Sequence, residues 1–343
     1  MENTKVSNNK NIINLLMFSA ILIFGMGLYK SKIKINFNTE TLNNFSIIFL
    51  SMILEAIPFI IVGAFISSLI QIFISEDVIY RIIPKNIFWG TIAASIAGLF
   101  FPVCECAIVP ICRSLIKKGV PISIATTFML SVPIVNPIVL LSTYYAFLGN
   151  TYMIFIRAFM GIFVSILVGV IIGVLYEKNP IKDWNMVHNS ECNCVNCNVS
   201  RYSSRSRLSE IVHGTSYELY NIGRFFIIGA LLSSIMQTFV PKEKILAIGQ
   251  GDLRSILVMM SLAFILSICS ETDAFIARTF LGQFTIGSVI GFLVFGPMLD
   301  IKNTIMLFGN FKKRYAITLI LLVVSMCFIL SVICNIVSFM LIN

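Results

Sequence analysis

The sequence predicts an all-α, polytopic membrane protein of about eight to ten spans, made of two related halves whose helices are broken at mid-membrane depth. Three observations predict it. Of the 343 residues, 57% are hydrophobic and only 12% are charged, with a mean hydropathy of +0.92, whereas a soluble domain is nearer a quarter charged. Apolar runs of about twenty residues recur along the whole chain, each long enough to cross ~30 Å of hydrocarbon. A β-barrel would show short alternating segments instead. Finally, the chain aligns with itself.

The apolar segments lie at roughly 11–29, 45–74, 87–112, 121–148, 151–176, 218–240, 252–280, 283–308 and 315–341. The first exits into MGLYKSKIK without a small-x-small site, so it is expected as a retained span, not a cleaved signal. Four regions follow: 1–44, a span with a basic loop; 45–176, a first transmembrane repeat; 177–217, a polar loop; 218–343, a second repeat. The net charge of +9 resides mostly in short loops, where it sets topology. The expected partner is therefore the lipid bilayer and not nucleic acid, and the expected location is the plasma membrane. With four spans per half, the repeats are parallel. Positive-inside counting then puts Lys30, Lys32, Lys34, Arg113, Lys117 and Lys118 inside, and Lys312, Lys313 and Arg314 outside. A re-entrant hairpin would make the repeats inverted, and both arrangements are open.

The self-alignment is ungapped between FIIVGAFISSLIQIF at 59–73 and FFIIGALLSSIMQTF at 225–239. Its identities include Gly63 with Gly229, Ser67 and Ser68 with Ser233 and Ser234, and Gln71 with Gln237. Further on, after a one-residue shift, Cys104 falls on Cys269 and Arg113 on Arg278, and with one deletion SVPIVNP at 131–137 falls on FGPMLDI at 295–301, pairing Asn136 with Asp300. Two related halves with broken helices are a transporter plan.

The breaks are FPVCECAIVP and SVPIVNP in the first half, SICSETDA and FGPMLD in the second. Proline removes a backbone donor and clashes with the turn before it. Irregular backbone at membrane depth is tolerated only where protein or a water-filled cavity surrounds it. At these breaks stand Glu105, Glu271, Asp273 and Asp300, each costly in a membrane, ~2.5–3.5 kcal/mol on insertion scales. Cys104, Glu105, Cys106, Asn136, Cys269, Glu271, Asp273 and Asp300 are therefore the candidate substrate or ion site. Arg113 and Arg278 are expected as structural ion-pair partners. No catalytic residue is predicted.

The cysteines divide into three groups. Cys112, Cys327 and Cys334 sit alone in apolar runs and read as small buried hydrophobes. Cys104 and Cys106 are two soft ligands either side of an acid, suited to a soft ion or metalloid; a redox pair and inert packing are the other readings. In the loop, His188, Cys192, Cys194 and Cys197 give three soft ligands and one borderline ligand in ten residues. That set suits Zn²⁺ or Cu(I) in a loosely formed capture site; a redox-sensitive or unstructured tract is the other reading. No other cofactor is expected.

Cys-x-Cys followed by Ile-x-Pro, the basic-Gly turn LIKKGVP and then SVPIVNP resembles the bacterial predicted-permease family that includes the organoarsenical efflux permeases, over roughly residues 45–310. The resemblance implies a plasma-membrane permease with Cys104 and Cys106 in its membrane-embedded motif. Many members of that family carry a small residue between the two cysteines, where this chain has Glu105, which suits cation binding or proton coupling. The expected function is a secondary permease, not an enzyme, for a small thiophilic solute, an inorganic metal or (organo)metalloid ion. No Walker-type phosphate loop is present, so an ion gradient or a separate subunit would supply energy. A membrane thiol-disulfide oxidoreductase is the alternative from another class, although its favoured C-x-x-C occurs only at Cys194–Cys197. A non-transporting subunit that positions a metal-binding partner is a third. An accessory membrane subunit and a second copy of the chain are the protein partners considered.

Overall fold

The computed structural model describes residues 39–73, 86–101, 103–148, 150–176, 180–181, 204–239 and 251–342. The first predicted span, Pro102 and the loop ligands His188, Cys192, Cys194 and Cys197 lie outside them. By contacts the chain divides into residues 1–44 and 45–343; all packing below is within the second unit.

The described residues form twelve α-helices. The first six are α1 Thr39–Phe73, α2 Ile87–Ala97, α3 Glu105–Lys117, α4 Ile122–Val135, α5 Pro137–Ala146 and α6 Tyr152–Leu175. The last six are α7 Ser204–Phe239, α8 Asp252–Leu266, α9 Asp273–Thr279, α10 Ile286–Met298, α11 Ile301–Asn310 and α12 Lys313–Ile342. Both sets begin and end with a long helix and hold four shorter ones between. Packing follows the same scheme in each: α2 on α4 and α4 on α6, then α8 on α10 and α10 on α12. Small residues permit these contacts, as is usual where no hydrophobic drive separates helix from lipid. A Cβ on Gly161 would strike Ile134, one on Gly169 would strike Thr127, and one on Gly287 or Gly291 would strike Ser331 or its neighbours. The shorter helices cross between the sets: α3 packs on α11, and α9 packs on α5.

Six described stretches are long and apolar enough to cross a membrane: Thr39–Phe73, Ile122–Ala146, Tyr152–Leu175, Ile211–Phe239, Ile286–Asn310 and Lys313–Ser338. The α4–α5 and α10–α11 stretches are buried over 78% and 89% of their apolar windows, against 11% for α1, so they form the centre and α1 lies at the rim.

Several boundaries differ from the sequence reading. The segment 87–112 is two helices joined by a turn at Gly98–Phe100, and 252–280 is likewise two. The expected loop 177–217 gives way to helix from Ser204, where a polar, proline-free stretch continues the apolar part of α7. Of the described prolines in the predicted breaks, Pro137 opens a helix at its break, whereas three lie within helices. Pro110 lies inside α3, and Pro133 and Pro297 lie in the last turns of α4 and α10. α4 ends at Val135 and α10 at Met298, two residues and one residue past their prolines, each of which leaves the carbonyl four residues before it without its usual donor.

The turn LIKKGVP has a direct physical reading. Gly119 has φ +95°, Val120 N–H donates to Leu115 O at 3.1 Å and Gly119 N–H donates to Ile116 O at 3.1 Å. This is a Schellman ending, which needs a left-handed residue just past the helix. Pro121 then opens α4.

Candidate functional site

Four short helix ends carry the site. In α3 the backbone of Cys104 is extended, and helix begins at Glu105, so Glu105 and Cys106 stand in the first turn. An acid there is favoured by the positive end of the helix dipole. In the second set, α8 ends at Leu266 and Ser267 takes a left-handed conformation, φ +46°. The chain then turns through Cys269 and Glu271 before α9 starts at Asp273. Gln237 of α7 donates its amide to the Leu266 carbonyl, satisfying one of the acceptors that a broken helix leaves free.

Asn136 and Asp300 do the same local job. Asn136 Oδ1 accepts from Ile138 N–H at 3.0 Å, with Pro137 as the first residue of α5. Asp300 Oδ1 accepts from Asn303 N–H at 2.6 Å and caps α11. Asn and Asp are favoured caps because their side-chain oxygens replace the missing backbone acceptors.

These ends bound a cavity of about 210 Å³. Its polar lining includes Cys104, Glu105 and Cys106 from α3, Ser267 and Cys269 from the second break, and Lys302 from α11. Glu55 of α1 reaches it too. The interior is charged. Lys302 Nζ stands 3.4 Å from Glu105 Oε1 and 3.6 Å from Asp300 Oδ2, and all three side chains are almost wholly buried. Ser267 Oγ donates to Asp300 Oδ2. Glu105 is 1% exposed and neither of its oxygens has a partner with hydrogen-bond geometry; the contact to Lys302 is an ion pair by distance alone. Among the described residues, no three His, Cys, Asp or Glu side chains are placed to hold a metal ion. The cysteines here are free thiols.

Of the predicted site residues, Cys104, Glu105, Cys106 and Cys269 thus meet at one cavity, and Asp300 joins them through Lys302 and Ser267. Glu271 stands in the second break, partly exposed. Two others are placed elsewhere. Asn136 is used by its helix cap. Asp273 is engaged by Arg157 of α6, whose Nη2 and Nη1 donate to its two oxygens at 2.6 and 2.9 Å. Arg157 also donates to Thr143 Oγ1 at 2.8 Å and is fully buried.

The expected roles of Arg113 and Arg278 give way as well. Arg113 Nη1 donates to Asn310 Oδ1 at 3.4 Å, and Arg278 Nη1 donates to Ala146 O at 3.3 Å. Each reaches the last residue of the short helix opposite, where a cation is favoured by the negative helix end. Of Arg113, Arg157 and Arg278, it is Arg157 that pairs with a carboxylate. Arg157 and Lys302 were both missed. The available signal was their rarity: each is a lone cation inside an otherwise apolar run, and such residues face protein or a cavity.

A family described as predicted permeases matches residues 41–336. UPF0718 protein YcgR of Bacillus subtilis is 44% identical over 277 residues, covering 81% of this chain and 92% of the relative. A Streptococcus mutans protein, named as a subunit of a two-component membrane permease complex, is 36% identical over 292 residues, 83% of this chain and 94% of its own length. No solved structure matches the chain.

Proposed function

Because this chain belongs to the predicted-permease family and is a multi-pass plasma-membrane protein, we propose that it carries a small thiophilic solute, a metal or metalloid ion, through the cavity at Cys104, Glu105, Cys106 and Cys269. One observation supports this most. The break before α3 and the break after α8, far apart in sequence, bring three thiols and a carboxylate to a single cavity. Soft thiol ligands select soft ions, and free backbone groups at helix ends supply further dipoles. We take the two sets of six helices as related by duplication, in keeping with their common order and cross-packing. The cavity lies where the broken helices of the two sets meet.

The experiment is flux into liposomes containing purified protein, with a panel of soft metal ions and trivalent arsenicals. Cys104→Ser and Cys106→Ser should each abolish flux of a thiophilic substrate without lowering membrane abundance. Full flux in the double variant would leave the thiols as packing residues and reject the reading. The name of the Streptococcus mutans relative supports a second component for this chain too, and co-purification from native membranes with a tagged copy tests it.

A further inference from the structure

The proposed function makes no use of Lys302, yet this lysine occupies the most charged point of the cavity. It is buried, it approaches two acids from separate elements, and one of those acids, Glu105, keeps both oxygens without a hydrogen-bond partner while lining the cavity. A purely structural ion pair would be expected to saturate its acceptors, because an unsatisfied buried carboxylate is costly. We propose that Lys302 is a tethered counter-cation that holds the place of the transported ion, and that this ion is a univalent soft cation. The inference rests on the function proposed above and names the substrate class of the same site.

The charge count supports the valence. When Glu105 is ionised as well as Asp300, two carboxylates face the one ammonium of Lys302, and the buried trio is then short of one positive charge. A univalent cation beside Glu105 balances it, whereas a divalent ion overcharges a region where excess charge is expensive. The donors support softness: Cys104, Cys106 and Cys269 line the same cavity as Glu105, and thiols prefer univalent d¹⁰ ions such as Cu(I) or Ag(I) over hard cations. The anchor supports movement. Asp300 is fixed by its helix cap and by Ser267, so the ammonium can move from Glu105 toward Asp300 when a cation arrives, and return when it leaves. Glu55 lines the same cavity but is exposed, and Glu271 is half-buried, so neither belongs to the buried trio that this count covers.

The test uses full-length protein in detergent with Cys192, Cys194 and Cys197 changed to serine, so that loop thiols do not compete. Binding of Ag⁺ and of Zn²⁺ is measured by equilibrium dialysis. The parent should bind Ag⁺ and not Zn²⁺. Lys302→Met removes the competitor and leaves two uncompensated acids, so Ag⁺ should bind at least about tenfold more tightly and Zn²⁺ binding should appear. Lys302→Gln carries the same expectation, and Lys302→Arg should keep the parent's selectivity. Lys302→Met and Lys302→Gln proteins that fold but gain neither ion overturn the proposal. So does a failure of both to fold while Lys302→Arg folds, since that makes the lysine a structural charge. Ag⁺ binding that survives serine at Cys104, Cys106 and Cys269 strikes instead at the proposed function, and is separable from the lysine result.

Discussion

The pair Arg157–Asp273 joins α6 in the first set of helices to α9 in the second, and its removal should loosen the two sets from each other. The guanidinium gives Asp273 two bonds, at 2.6 and 2.9 Å, and Thr143 a third at 2.8 Å. Asp273→Ala leaves the cation only Thr143 and a long contact to Ser270 O at 3.4 Å. Breaking one member of a buried pair costs about 3–5 kcal/mol, because the other charge stays buried without its partner. Replacing both by apolar residues removes that penalty and is often near neutral. Arg157→Met and Asp273→Ala should therefore each destabilise the protein by about 3 kcal/mol. The double variant should cost no more than either alone, a coupling of about 3 kcal/mol. Unfolding in mixed detergent and SDS micelles gives the four corners of the cycle. Single-variant costs that add to within about 0.5 kcal/mol would refute the reasoning, since they would mean that the bidentate contact couples nothing.

Other outcomes follow from the same geometry. Glu105→Gln removes a titrating carboxylate from the cavity: if the ionised form takes the cation, wild-type flux should fall on acidification while the variant's flux is low and flat with pH, and a variant with the wild-type profile would dismiss Glu105. Ser267 has a left-handed backbone and a hydroxyl on Asp300. Ser267→Ala keeps the strain and loses the bond, whereas Ser267→Gly relieves the strain, so Ala should be less stable than Gly by about 1 kcal/mol in the same micelle assay. Asp300→Asn should fold normally, since Asn also caps helices, but should weaken Ag⁺ binding by releasing Lys302 to Glu105 alone. Serine at Cys192, Cys194 and Cys197 should lower the metal content found by elemental analysis while the membrane part still folds, and unchanged content would reject the loop site.

Much of the arrangement was legible because the bilayer constrains the alphabet. Continuous apolar runs announce spans, and an Asn or Asp after a proline-containing apolar run announces a helix end that must be capped. The four carboxylates stood out because charge is rare in such runs. The partnerships were not legible. Asp273 and Glu105 look alike in sequence, each acidic and next to a break, yet one is held by Arg157 and the other opens onto a cavity. Nothing local distinguishes them, because their partners come from helices at least 116 residues away in the chain. Pro110 misled for a related reason. A proline's cost falls on the turn before it, so it marks a short helix that starts close by and does not itself mark the break.

Asn136 and Asp300 show how one local device yields two outcomes. Both cap a short helix after a proline-bearing one. In the first set the cap is a neutral amide, and the residue two positions on is Ile138. In the second the cap is an acid, and the residue two positions on is Lys302. Capping alone does not require the acid, since Asn and Asp serve almost equally, and α11 would form without a lysine in its first turn, where the helix dipole disfavours a cation. The acid and the lysine thus make sense as a pair, and as a pair they are nearly neutral in themselves. What they add is a mobile positive charge within reach of Glu105. The side of the site that carries it, α11, packs against α3, with Lys302 beside Glu105 and, eight residues on along each helix, Asn310 beside Arg113. The first set supplies two thiols and the orphaned carboxylate, the second the third thiol, the fixed acid and the tethered cation, so the site is complete only where the two sets meet.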